Sequence, residues 1–178
     1  YGLVGSEMCI RDSSLATAFN QYLKYTCNAH VSWFGNQLDL PKQLPMPAPV
    51  KNTINGKYRV YMNYCTVSYS AAWWDWERWQ RELDFMAMNS INMPLSVVGL
   101  EAVWYNTLLK HKFTDEEARQ FLAGPGHFAW QWMQNLQSYG GPLPKSWIDK
   151  HIVLGKQIID RELELGMQPI QQGFSGYV

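Results

Sequence analysis

Four side chains with polar or reactive groups follow the two predicted strands at the centre of this chain. Asn63, Cys65 and Thr66 come after the first strand, and Glu101 comes after the second. An amide such as that of Asn63 can both donate hydrogen bonds to sugar hydroxyls and accept them. These residue types therefore suggest recognition of a hydroxyl-rich ligand. Two plainer roles stand beside this one: Glu101 as a first-turn residue favoured by the helix dipole, and Cys65 as a small buried hydrophobic residue.

A strand, a helix and a second strand would have to position these residues. Alternation of apolar and polar residues predicts the first strand, with Tyr58, Val60 and Met62 on its apolar face. The apolar run 93–98 predicts the second strand, although Pro94 cannot donate to a sheet ladder. Two strands joined through a helix are typically parallel. Their carboxyl ends then meet at the edge where α/β proteins bind ligands.

The helix between these strands is predicted to be amphipathic. Its apolar face repeats at helical spacing and consists of Trp76, Trp79, Leu83 and Met86. Its other face carries opposite charges four residues apart, which suits an exposed surface; the pairs are Glu77 with Arg81 and Arg78 with Glu82. Asn89 and Ser90 are predicted to end the helix.

The residues before the first strand form a separate predicted unit. Ser14 is predicted to cap a short helix over 15–25, and residues 30–38 are predicted to form a strand. Residues 41–55 are rich in proline and have little periodicity, which indicates a linker and a domain boundary. Residues 1–13 contain MCIRDS, which is similar to translated sequencing-adaptor sequence, so we exclude them from the expected fold.

A long segment separates the second strand from its return helix. It contains three predicted helices: one over 102–112, one opened by a capping box of Thr114 and Glu117, and an aromatic one over 128–136. The return helix is predicted from Ser146 to Gly166, followed by a third strand over 167–174, and its apolar side consists of Ile148, Ile152, Ile159 and Leu163. Because such insertions lie over the carboxyl ends of a parallel sheet, we expect this one to shape a pocket.

Composition narrows the class of ligand. The chain has 15 basic and 15 acidic residues, so it has no electrostatic reason to bind nucleic acid or anionic lipid. Its 9 tryptophans and 10 tyrosines suit flat, half-polar ligands such as sugars. Trp130 and Trp132 lie in the insertion and are candidate ligand platforms, whereas helix packing is the commoner role for Trp73, Trp74, Trp76 and Trp79.

No pattern in the sequence indicates a cofactor or a metal. Cys9, Cys27 and Cys65 fit neither a zinc spacing nor a disulfide framework, although one pair could still bridge. The histidines are scattered and favour structural roles; they are His30, His111, His127 and His151. No apolar run is long enough to span a bilayer.

Three long stretches resemble one known family. They read YCTVSYSAAWWDWERWQRELDFMAMNSINMPLSVVGLEAVW, FLAGPGHFAWQWMQNLQSYGGPLPKSW and GMQPIQQGFSGYV. They are similar to the start of the catalytic domain of the α-N-acetylglucosaminidases, a family of lysosomal and bacterial glycoside hydrolases. A weaker resemblance, through YLKYTCNAHVSWFGNQLDLP, is to the end of the small α/β domain that precedes it in the family.

The resemblance implies an α/β fold: about the first three strands of a (β/α)8 TIM barrel, preceded by part of a small α/β domain. Residues 14–55 would be the end of that small domain and its linker, and residues 56–178 the first part of the barrel. Members of the family are exo-acting, retaining enzymes that remove terminal α-linked N-acetylglucosamine. Retention requires two carboxyl groups roughly 5–5.5 Å apart.

In the family, both reacting glutamates lie on later strands, so the resemblance assigns no catalytic residue here and implies that this 178-residue chain alone is inactive. It places Asn63, Cys65 and Trp130 around the terminal sugar and Glu101 near the sugar hydroxyls. The resemblance implies that the partner is a glycan ending in α-N-acetylglucosamine and that no cofactor is needed. It also implies a bacterial enzyme that is exported from the cell. The alternatives are a non-catalytic carbohydrate-binding module and a pseudo-enzyme with altered glutamates.

Overall fold

The computed structural model describes residues 12–136 and 138–171. Within these ranges, short strands alternate with helices and with one 3-10 turn, Pro125–His127. The strands are β1 (His30–Ser32), β2 (Gly35–Gln37), β3 (Val60–Tyr61) and β4 (Met93–Pro94). The helices are α1 (Asp12–Tyr25), α2 (Tyr64–Ser68), α3 (Trp76–Met88), α4 (Leu100–Lys110), α5 (Asp115–Phe121), α6 (Phe128–Trp132) and α7 (Lys145–Glu164). Each of these helices is too short or too polar to cross a lipid bilayer.

The strand–helix–strand prediction is confirmed. β3 and β4 pair in parallel, with Val60 opposite Met93 and Tyr61 opposite Pro94. A third segment lies in parallel on the far side of β4, where Leu95 bridges Ile170. Of the predicted third strand, residues 167–171 show this isolated bridge at Ile170 and no regular strand, and residues 172–174 lie outside the described residues.

Pro94 is accommodated in the middle of these three segments. Its carbonyl accepts the Ile170 N–H at 2.8 Å, and the neighbouring Ser96 N–H donates to the Ile170 carbonyl at 2.8 Å. Leu95 donates in the other direction, to the Tyr61 carbonyl at 3.1 Å. Proline therefore removes one donor from the ladder, while the hydrogen bonds on either side keep the strand in place.

The predicted apolar face of β3 is wrong. Val60 is 60% exposed and Tyr58 is also exposed, whereas the Tyr61 ring lies 6.5 Å from that of Phe85 on α3. The helix-covered face of β3 is the one carrying Tyr61, and within the described part of the chain no helix covers the opposite face. Met62 has a φ of 68°, so its side chain no longer follows the strand alternation.

Helix α3 forms as predicted, but one of its faces is not exposed. Asp75 caps the helix by accepting the Arg78 N–H at 2.9 Å, and Leu83 packs in the core. Glu82 was predicted on the solvent side, yet it is 1% exposed. Its carboxylate contacts Arg78 at 3.0 Å and accepts the Trp33 Nε1–H at 3.0 Å. The strands before the linker cover this face, a long-range contact that helical periodicity does not reveal.

Two predictions in the first unit are also wrong. Helix α1 begins at Asp12, so Ser14 lies inside it and is not its cap. Residues 30–38 form an antiparallel hairpin of β1 and β2, with His30 opposite Gln37, rather than a single strand. Its turn carries Trp33, which packs back on α3. Residues 38–59 have no regular secondary structure, in agreement with the predicted linker.

Helix α7 approaches the sheet more closely than its sequence suggests. An added Cβ at Gly155 would lie 2.4 Å from the Val98 carbonyl oxygen, so only glycine fits there. The buried positions of α7 are Ile148, Gly155, Ile158 and Glu162. Ile152 and Leu163 were predicted on the buried side, but both are exposed. The buried face of α7, which includes the close contact at Gly155, therefore differs from the predicted face, which includes Ile152 and Leu163.

Candidate functional site

Asn63 is the first polar residue after β3 and caps helix α2. Its Oδ1 accepts the Thr66 N–H at 3.1 Å and the Thr66 hydroxyl at 3.0 Å. The side chain is exposed, and within residues 12–136 and 138–171 its Nδ2 donates to no protein atom. The oxygen of this amide therefore stabilises the helix start, while its two N–H donors are available to a ligand.

Cys65 lies in the first turn of α2 and is half-buried. It is a free thiol, as is the buried Cys27. The possible pairing of Cys27 with Cys65 therefore does not occur in this structure, and Cys9 lies outside the described residues.

Trp130 comes from the insertion but lies beside the segment that follows β3. Helices α2 and α6 pack together through a buried hydrogen bond of 2.9 Å from the Ala129 N–H to Ser68 Oγ. The Trp130 ring meets the Tyr69 ring edge to face, with centroids 5.2 Å apart. The structure thus places α6, which carries Trp130, against α2, the helix that Asn63 caps and that contains Cys65. Tyr69 was not singled out from the sequence, although it follows directly on this helix.

Glu101 occupies the predicted strand end, but its carboxylate faces the interior. Gly99 caps α4 in the left-handed region, with φ 92°, and donates its N–H to Glu101 Oε2 at 3.1 Å. Burial raises the pKa of the Glu101 carboxyl to about 7, against the opposing effect of backbone hydrogen bonds at Glu101 and Gly99. The side chain is therefore placed to hold the turn after β4, and its role toward a ligand stays a prediction.

His151 and Trp147 of α7 also lie near Glu101, and this contact was not predicted from the sequence. His151 Nδ1 lies 3.6 Å from Glu101 Oε1 and 3.0 Å from the Trp147 carbonyl, and its ring stacks on Trp147 with centroids 4.0 Å apart. Burial lowers the pKa of His151. Trp147 lowers the pKa of Glu101, although its buried Nε1–H has no hydrogen-bond acceptor in the described part of the chain.

A second buried carboxyl lies further along the same interface. Glu162 accepts the Ser96 hydroxyl at 2.7 Å and 2.8 Å through its two oxygens. Burial raises the pKa of Glu162 to about 7, and the Ser96 hydrogen bond opposes this effect. Glu162 joins α7 to Ser96 after β4, and Glu101 lies between α4 and α7, so packing explains both positions.

Two depressions in the described surface lie away from these residues. One has a volume of about 590 Å³ and is lined by residues such as Cys27, Asp39 and Pro41. The other, about 540 Å³, is lined by residues such as Ala29 and Phe85. The first belongs to the unit before the linker, the second lies between that unit and α3, and neither includes any of the four predicted site residues. Among the described side chains there is also no group of three or more metal-ligating residues.

Sequence models of two domains match this chain. The α-N-acetylglucosaminidase tim-barrel domain matches residues 59–178, and the N-terminal domain of the same family matches residues 9–46. Human α-N-acetylglucosaminidase is 42% identical over 164 residues, which are 92% of this chain and 22% of the human protein.

Solved structures of a family 89 glycoside hydrolase from Clostridium perfringens are also similar. The complex with 2-acetamido-1,2-dideoxynojirmycin has a TM-score of 0.90 and 39% identity over 93% of this chain. A variant with two Glu-to-Gln substitutions, in complex with its substrate GlcNAc-α-1,4-galactose, gives the same values. The chain covers 19% of each of those proteins, so it spans about a fifth of the length of its relatives. On these matches the chain belongs to the α-N-acetylglucosaminidase family.

Proposed function

We propose that the protein containing this chain is an exo-acting, retaining glycoside hydrolase that releases terminal α-linked N-acetylglucosamine from glycans. In this proposal residues 56–178 are the first part of a (β/α)8 barrel, and residues 14–55 end the small α/β domain before it. One observation supports the assignment of the site: α2, which follows the parallel strand β3 and is capped by Asn63, packs against α6, which carries Trp130.

The proposed binding roles follow from the free groups at this edge. The Asn63 amide offers N–H donors to an acceptor of the sugar, because its oxygen already accepts from Thr66. The half-buried ring of Trp130 offers an apolar surface to the C–H groups of a pyranose. Cys65 is proposed to lie beside them and to contribute a small, partly buried surface to the sugar site. Glu101 is proposed to act indirectly, by fixing the turn at Gly99.

The reacting carboxyl groups are proposed to come from other parts of the protein. Retaining hydrolysis needs an acid/base and a nucleophile that both reach the glycosidic bond. The three buried carboxyls of the described chain each have a local partner: Glu82 has Arg78, Glu101 has the Gly99 N–H and Glu162 has Ser96. We therefore assign them to structure, and we expect the isolated 178-residue chain to be inactive.

The test uses the full-length gene product and p-nitrophenyl α-N-acetylglucosaminide. We expect release of p-nitrophenol, with the α-anomer of N-acetylglucosamine formed first, as retention requires. Asn63→Ala and Trp130→Ala should each lower kcat/KM by at least tenfold, whereas Asn55→Ala, an exposed asparagine of the linker, should leave it unchanged. Absence of turnover by the wild-type protein would contradict the proposed activity. Wild-type kinetics in both site variants would contradict the proposed site.

The exposed rings favour one alternative from another class, a carbohydrate-binding module without activity. In that case the full-length protein would bind the sugar without hydrolysing it. Isothermal titration with N-acetylglucosamine, run beside the activity assay, separates the two functions.

A further inference from the structure

Asn55 is the one asparagine in the sequence that is followed by glycine. Such a pair is a strong signal for a hairpin turn, but the segment 38–59 that contains it has no regular secondary structure, and both residues are exposed. The Asn55–Gly56 pair therefore does not serve as a hairpin turn in this fold.

The two groups of this pair that can react with each other are both free. They are the side-chain amide carbon of Asn55 and the backbone nitrogen of Gly56, and a bond between them closes a five-membered ring. Across residues 12–136 and 138–171, the Asn55 side chain has no hydrogen-bond partner and the Gly56 N–H donates to no acceptor. A Cβ added at Gly56 would lie no nearer than 3.9 Å to any atom beyond the neighbouring residues, so the surroundings leave room for the ring to close.

The residues after Gly56 are held in place, and one of them brings a positive charge to it. Arg59 Nη1 donates to the Gly56 carbonyl at 2.7 Å, and the Arg59 N–H donates to Asn92 Oδ1 at 2.8 Å. The Asn92 side chain also donates to the Lys57 carbonyl at 2.9 Å. Because a nearby cation favours the deprotonated form of a group, the Arg59 guanidinium promotes loss of the Gly56 amide proton.

Asn89 shows how the fold protects an asparagine that is followed by another small residue. Its Nδ2 donates to the Phe85 carbonyl at 2.8 Å. The N–H of the next residue, Ser90, donates to the Ala87 carbonyl at 3.2 Å. Both groups that would have to react at Asn89 are therefore held in hydrogen bonds, in contrast to those at Asn55.

We propose that Asn55 is a site of spontaneous modification, at which the side chain is converted through a cyclic succinimide to aspartate and isoaspartate. The Gly56 backbone nitrogen loses its proton to water and attacks Asn55 Cγ; a C–N bond forms, the bond from Cγ to Nδ2 breaks, and the amide group leaves with that proton as ammonia. One water molecule then opens the ring. Attack at Cγ gives aspartate, whereas attack at the main-chain carbonyl carbon of Asn55 gives isoaspartate, in which the backbone continues through the side chain. The net change converts an amide and water to a carboxyl group and ammonia, so no oxidant or reductant is needed.

The modification changes the linker and leaves the start of β3 in place. It adds a negative charge, and the isoaspartate form also lengthens the backbone by one carbon atom. The hydrogen bonds that fix the chain before β3 begin at Gly56, after the changed residue. We therefore expect the charge and path of the linker to change while the midpoint of thermal unfolding stays the same.

The test incubates the full-length protein, in its folded state, in mildly alkaline buffer and follows its peptides by mass spectrometry. We expect the peptide containing Asn55 to gain the mass difference between an amide and a carboxyl group about tenfold faster than the peptide containing Asn89, because glycine has no Cβ to hinder its nitrogen. Asn55→Gln should abolish the change, because the longer side chain disfavours the ring. Gly56→Ala, whose Cβ fits the structure, should slow it by about tenfold. Hydroxylamine, which cleaves a succinimide, should cut the wild-type chain between Asn55 and Gly56 and leave the Asn55→Gln chain intact there.

An Asn55 that stays unmodified in the folded protein overturns the inference, whether or not the urea-denatured protein is converted. Equal rates at Asn55 and Asn89 overturn it as well, because the open surroundings of Asn55 would then have no effect. A lower thermal midpoint for the modified protein than for a fresh sample would contradict the confinement of the change to the linker.

Discussion

Glu101 on α4 and His151 on α7 face each other across 3.6 Å, between Oε1 and Nδ1, beneath the turn that ends the second parallel strand. Both side chains are shielded from water, and burial shifts their pKa values toward the neutral form: the pKa of Glu101 is raised and that of His151 is lowered. Both shifts favour the uncharged forms, so the contact is weaker as an ion pair than one between two fully charged groups.

The first prediction concerns pH. The pKa of Glu101 rises from 4.5 to about 7 on folding, so its stabilising contribution is full below about pH 4.5 and is lost as the pH rises through about 7. Glu101→Gln should therefore reduce the fall in unfolding free energy between pH 4.5 and 7.5, by about 3 kcal/mol. Denaturant unfolding of the full-length protein at both pH values measures it, with Glu116→Gln as an exposed control.

His151 and Glu162 bear on the interpretation of that experiment. The lowered pKa of His151 works in the opposite sense, because its contribution is present at high pH and is lost as the pH falls. Glu162 has the same raised pKa, about 7, so Glu162→Gln should remove a second, similar part of the pH dependence. If neither glutamine variant changes the slope of stability against pH, the two carboxyls are not titrating as their burial requires.

The second prediction concerns the hydroxyl that satisfies Glu162. Ser96→Ala removes its donor and leaves a buried carboxyl without a partner, at a cost of about 1–3 kcal/mol. We expect a lower thermal midpoint for Ser96→Ala and little change for Ser70→Ala, which alters an exposed serine. In the Glu162→Gln background the cost should be smaller, and a double-mutant cycle measures the difference. An equal loss of stability in both backgrounds would show that the loss does not come from the hydrogen bond between Ser96 and Glu162.

The third prediction concerns the close approach at Gly155. Gly155→Ala would set a Cβ 2.4 Å from the Val98 carbonyl oxygen. We expect this variant to lose about 1–3 kcal/mol by forcing α7 away from the sheet, despite the higher helix propensity of alanine. Gly56→Ala, with no atom nearer than 3.9 Å to the added Cβ, is the control. A Gly155→Ala protein as stable as the wild type would show that α7 is free to move outward.

The fourth prediction concerns the joint between the hairpin and α3. The Trp33 Nε1–H donates to Glu82, and Arg78 lies over the Trp74 ring at 3.9 Å. Trp33→Phe removes the donor and keeps most of the ring, so it should cost about 1 kcal/mol. Limited proteolysis should then cut the 38–59 segment faster than in the wild-type protein. Unchanged cleavage rates would mean that this hydrogen bond does not hold the hairpin in place.

Local signals in this sequence predicted local structure well. The capping box of Thr114 and Glu117 is present, with both of its hydrogen bonds, because all of its atoms lie within one turn. The parallel pairing of β3 and β4 also follows from the pattern of one strand, one helix and one strand. Glycine and proline positions likewise indicated where the linker and the insertion lie.

Features that depend on distant parts of the chain were missed. Glu82 has the sequence context of an exposed residue and is buried because the hairpin covers it. His151 contacts Trp147 one helical turn earlier, but its relation to Glu101 arises only when α7 packs on the turn after β4. Among the site predictions, the strand-end positions followed from the fold pattern, whereas the burial of the Glu101 side chain required knowledge of what packs over it.

The Asn63 amide oxygen caps α2, and its N–H groups have the proposed role of binding the ligand, which would limit the residues that can replace it. Aspartate would keep the cap of α2 but would present an acceptor where asparagine presents two N–H groups. Serine would keep the cap with a shorter side chain that falls back from the strand edge. Folding alone would tolerate several residues at this position, so a requirement for asparagine in selection experiments would report on ligand recognition and not on stability.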